Sequence, residues 1–69
     1  MDNNGWIPVS ERLPELSQDV LVTDGNFMYV CFVETIDNRK IWEDDYGYWH
    51  QIERFTAWMP LPEPYKESD

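Results

Sequence analysis

Cys31 and His50 are the only cysteine and the only histidine in this 69-residue chain, and a thiol with an imidazole base is the first chemistry to test. Such a pair can be spatially adjacent without being neighbours in sequence. Cys31 lies between Val30 and Phe32 in an apolar run, where a thiol packs as a small hydrophobe. Activating it would need a nearby cation or a helix N-terminus, and none is visible around it. Ser10 and Ser17 have no evident base, and there is no glycine-rich phosphate loop. The densest acidic cluster is Glu43-Asp44-Asp45. Calcium asks for six or more oxygens at graded positions with a distal bidentate acid, which three consecutive acids do not supply. We therefore read the chain as non-enzymatic, without metal or cofactor.

What remains is surface chemistry. Fourteen acids stand against five bases, a formal net charge of −9 distributed along the whole chain. That balance opposes binding to nucleic acid or to an anionic membrane, and it favours a basic partner surface. Glu34, Asp37, Glu43, Asp44, Asp45 and Glu53 flank the expected sheet, and Tyr46 and Tyr48 adjoin the acidic loop. Tyrosine and tryptophan are favoured contact residues in protein interfaces. These eight residues are the candidate partner-binding set. Trp42 and Trp58 are assigned to packing, and core packing is also the plain reading of Trp49.

Sixty-nine residues make one domain, and a chain this short buries only about 60% of its unfolded surface. One cysteine excludes an internal disulfide, so the support must come from four Trp, four Tyr and three Phe, or from oligomerisation, which leaves a homodimer open. The N-terminus lacks the basic and apolar regions of a signal peptide, and the longest apolar run is too short to span a bilayer. With a lone thiol that suits a reducing compartment, the expected location is the cytoplasm.

The elements that would position these residues are strands. Asp24-Gly25 between Val20-Leu21-Val22 and the run Phe27–Val33 signals a tight hairpin. The second run is apolar on both faces, with Phe27, Tyr29, Cys31 and Val33 on one side and Met28, Val30 and Phe32 on the other. Such a strand is expected mid-sheet with both sides at least partly covered. Trp6–Val9 is a short extended piece at a sheet edge or across a face, since Pro8 lacks a donor. Ser10 is expected to cap a single helical turn, Pro14-Glu15 to make a type I turn, and Leu13 and Leu16 to pin that loop to the core. Asp37-Asn38 is the tip of a polar turn. Further strands are expected from Lys40, from Tyr48 to Ile52 and from Phe55 to Met59, followed by an extended polyproline segment from Pro60. The fold class is all-β: an antiparallel meander of four to five strands curled around an aromatic core, with residues 1–5 and 65–69 loose.

Two segments carry a resemblance. Residues 6–15, WIPVSERLPE, and residues 58–64, WMPLPEP, with Gln18-x-Val20-Leu21-Val22 between, resemble domain-of-unknown-function family 551. That family is similar in length and is found widely in phages and prophages. One departure is Ser17, where the family usually has Gly before the Gln. The resemblance implies a phage accessory protein acting on a host or defence system of the bacterial cell. Trp6, Trp58 and the prolines also have a purely structural reading as bookends of the fold. Combined with the charge, the expected function is binding of a host or defence protein through an acidic surface, in its sharper form as a DNA-mimic inhibitor. Geometry tempers that form: alternate strand residues stand about 6.7 Å apart, against a phosphate every ~3.4 Å along a DNA strand. The alternative is a small oligomeric or ligand-binding module whose acidity serves only solubility.

Overall fold

A computed structural model of the chain describes residues 5–65. Six antiparallel strands form one sheet: β1 Ile7–Pro8, β2 Val20–Thr23, β3 Met28–Ile36, β4 Arg39–Asp44, β5 Trp49–His50 and β6 Ala57–Pro60, in the order β1-β6-β2-β3-β4-β5. The meander holds from β2 to β5. The last strand leaves it and inserts between β1 and β2, pairing Val22 with Trp58. The strand count is thus one above the expected upper limit, because Trp6–Val9 contributes its own edge strand through Ile7 and Trp58. The loose ends expected at 1–5 and 65–69 fall almost wholly outside the described residues; Tyr65, at the described limit, is exposed.

The turns follow residue chemistry. Asp37 and Asn38 both take left-handed φ, 51° and 65°, between the paired Ile36 and Arg39, as a primed two-residue turn requires. The first hairpin is displaced by one residue from the expected Asp24-Gly25 tip. Thr23 pairs with Met28, the Asp24 N–H donates to the Phe27 carbonyl, and Gly25-Asn26 stand at the tip, with Gly25 at φ 101°. Asp24 is held outside the tip because its Oδ1 accepts from the N–H groups of Asn26 (2.8 Å) and Phe27 (2.9 Å). Phe27 consequently lies in the turn, exposed, and not on the core face of β3.

The register places Val20, Val22, Cys31, Val33, Trp42 and Trp58 on one face, where with Phe55 they form the buried core. Irregular chain covers this face. The 3-10 turn Ile52–Arg54 carries Phe55 under the sheet, and the Trp42 indole N–H donates to the Ile52 carbonyl at 3.1 Å. On the other side the Trp58 indole N–H donates to the Arg12 carbonyl at 2.8 Å, tying down the loop after β1. In that loop Leu13 packs against the core and Pro14 is buried, but Leu16 is half exposed and meets β3 only through a backbone bridge to Val33. Its turn is closed by the Pro8 carbonyl, which accepts from Glu11, and not by a Ser10 cap. Ser17 takes φ 63°. Pro60 closes β6, where a missing donor is tolerated, so the strand extends one residue beyond the expected end at Met59.

The opposite face, hereafter the outer face, has no such cover. Val30 and Phe32 are only half-buried and Met28 is 61% exposed. The two-sided apolar pattern of β3 points to at least partial cover on both sides; one side is buried, and on the other Val30 and Phe32 are half-buried beside an exposed Met28, with no second layer over them among the described residues.

Candidate interaction surface

Asp44 organises the loop between β4 and β5. Its Oδ1 accepts from the N–H groups of Tyr46 (2.9 Å) and Tyr48 (3.0 Å), and its Oδ2 meets His50 Nε2 at 2.8 Å. The backbone closes the same loop, from Asp44 N–H to the Tyr48 carbonyl and from Gly47 N–H to the Asp44 carbonyl, each at 3.0 Å. His50, then the Tyr48 and Tyr46 N–H groups, hold the Asp44 carboxyl below the ordinary aspartate range. Its charge is therefore used inside the fold. The side chains the loop presents outward are Asp45, Tyr46 and Tyr48, and Trp49 follows them at the sheet edge. Tyr46 is 87% exposed, Tyr48 68% and Trp49 59%. Trp49, for which core packing is the plain reading of the sequence, stands instead on the outer face opposite Glu43.

The other acids divide among separate surfaces. Glu34 and Glu43 lie on the outer face on either side of Phe32, by the register of β3 with β4. The Glu34 carboxylate accepts from the Ser17 hydroxyl at 3.0 Å. Asp37 is at the tip of the β3–β4 turn, at the far end of that hairpin from Asp45. Glu53 rides on the 3-10 turn, on the core side, and lines a cleft with Arg39 and Lys40. The structure brings together Glu43, Asp45, Tyr46 and Tyr48, and it separates them from Asp37 and Glu53. The residues missed from sequence are those of the outer face: Leu21, Val30, Phe32, Met59 and Trp49. Their signal is the apolar alternation of β3 on both sides, from which at least partial cover of each is expected.

Cys31 and His50 do line one small cavity, about 180 Å³, with Tyr29, Asp44, Arg54 and Phe55. Burial, then the charges of Asp44 and Asp45, push the Cys31 thiol up to about 12. This is the reverse of what a nucleophile needs, and the His50 Nε2 already faces a carboxylate. Among the described residues no three His, Cys, Asp or Glu side chains are grouped to hold a metal ion, and no helix is long and apolar enough to cross a membrane.

A family profile described as "Protein of unknown function (DUF551)" matches residues 5–66. The chain belongs to this family. A DUF551-sized relative is the "Uncharacterized 7.8 kDa protein in ral-gp17 intergenic region" of Salmonella phage P22, 40% identical over 67 residues, covering 90% of this chain and 97% of the relative. The similarity confirms the resemblance carried by the two Trp-Pro segments. No solved structure matches the chain. Ser17, within the matched region, takes a left-handed φ, the conformation for which glycine is best suited.

Proposed function

We propose that this DUF551 chain is a non-enzymatic phage accessory protein that binds a basic surface on a host or defence protein. The observation that carries the reading is the Asp44-closed loop, which holds Asp45, Tyr46 and Tyr48 outward on a fixed backbone beside Glu43 and Trp49. Aromatic side chains have few rotatable bonds, so they lose little freedom on binding and supply large contact area. The acids next to them steer a basic partner toward that contact. The phage relative supports a role in infected bacteria, where such a partner would be met. The general form is preferred to the DNA mimic. A mimic needs a continuous row of acids, whereas Asp37 and Glu53 stand away from Glu34 and Glu43.

The test is retention of a partner from host lysate on immobilised protein, at low and high salt, with two variants beside it. Glu43→Gln/Asp45→Asn removes charge and leaves Asp44 to hold the loop. Tyr46→Ala/Tyr48→Ala removes contact area. A partner retained by the wild type, released by salt and weakened in both variants supports the reading. Retention that neither variant nor salt alters overturns it in favour of a module whose acidity serves solubility.

A further inference from the structure

The outer face of the sheet carries an apolar strip, interrupted by Glu43, over which no second layer lies among the described residues. The registers place Met59, Leu21 and Val30 side by side across β6, β2 and β3, and place Phe32, Glu43 and Trp49 side by side across β3, β4 and β5. An apolar sheet face is ordinarily buried against a second layer. Here Met28 and Trp49 are mostly exposed, and Leu21, Val30, Phe32 and Met59 are half-buried. The strip is framed by acids: Glu34 and Glu43 flank Phe32 on the same face, and Asp19 and Asp45 adjoin it at the ends of β2 and β4.

We infer that this face is the seat of a basic amphipathic helix of the partner protein. The inference rests on the reading above and adds to it a second contact, with its chemistry. The strip crosses five strands, about 19 Å from β6 to β5, so a helix about 10–12 Å in diameter lies on it across the strands. Leucine-like side chains at helical spacing fill the strip, and lysines or arginines on the flanks of that helix reach Glu34, Glu43, Asp19 and Asp45. A second copy of the chain fits less well. Each copy carries a formal charge of −9 and sets Glu34 and Glu43 on this face, so apposing two such faces brings like charges together.

The probe is a synthetic helix of leucine and lysine with the leucines on one face, beside a scrambled peptide of the same composition. Binding is followed by the amide resonances of the 15N-labelled protein. The amphipathic peptide should shift Leu21, Val30, Phe32, Glu43 and Trp49, and the scrambled one should bind about tenfold or more weakly, since charge alone is shared. Phe32→Ser should weaken binding; Trp49→Ser, at an exposed position, is the second variant in case the first fails to fold. Tyr46→Ala/Tyr48→Ala should leave peptide binding unchanged, which separates this face from the loop. Equal binding of both peptides, shifts confined to the loop or the core side, or wild-type affinity in Trp49→Ser would overturn the assignment. So would sedimentation of the free protein as a dimer that Trp49→Ser dissociates, which would give the face to a second copy. If the peptide fails while the lysate partner is still lost with the loop variants, the outer-face assignment falls alone. If the peptide binds as stated and no variant alters retention from lysate, the reading of the loop falls instead.

Discussion

Ser17 is the residue where sequence and backbone disagree most. It carries a side chain at φ 63°, where a Cβ meets the following carbonyl, and its hydroxyl donates to Glu34 on the protein surface. An exposed hydrogen bond of that kind offsets little of the backbone strain. Ser17→Gly should therefore stabilise the fold by roughly 0.5–1 kcal/mol, a rise of about 2–8 °C in Tm for a domain this small; a calorimetric scan checks it. Asp44 gives a second prediction. Its folded carboxyl, like that of Asp24, titrates below the unfolded value. The stability it contributes is complete above the unfolded pKa of about 3.9 and is lost as pH falls through the folded value. Wild-type Tm should hold near neutral pH and drop below about pH 4, whereas Asp44→Asn should start lower and fall less over the same window. Residue roles were legible where local chemistry decides them, as at Asp37-Asn38. They were not legible for Trp49 or Leu16, whose burial depends on which strands become neighbours.

At the scale of elements, the two buried tryptophans act as ties as well as filler. Each lies on the sheet and donates its indole N–H to a carbonyl of an irregular segment: Trp42 to Ile52 and Trp58 to Arg12. Burial of a ring that size is worth roughly 4–6 kcal/mol gross, before conformational entropy is subtracted. Trp58→Phe keeps most of that area and removes the tie. It should cost about 1–3 kcal/mol and speed amide exchange in the loop from Ser10 to Leu16 more than in β3. Uniform acceleration across the chain would mean that the loop is not held separately. The pairing of β2 with β3 and the β3–β4 turn could be read from the apolar runs and their turn residues. The position of β6 could not, since a strand that returns across the sheet leaves no local mark. The same gap explains the outer face: alternation on β3 shows two apolar sides, and only the placement of Phe55 and the loop after β1 shows which side they cover.

At the scale of the whole molecule, a single sheet with its core on one face has to make its stability from seven buried hydrophobic residues and Pro14 among those described. Domains of this size are marginal, and a bound partner adds stability by mass action. On the proposed function the acidic balance works at long range: a charge of −9 would accelerate encounter with a basic surface, and the loop and outer face would determine residence. The measurement that bears most directly on this account is the association rate of the captured partner with wild type and with Glu43→Gln/Asp45→Asn, across salt. The variant should associate more slowly at low salt, by about three- to tenfold, and converge with wild type once the screening length falls below about 8 Å. Association rates that are equal at low salt and indifferent to ionic strength would contradict it.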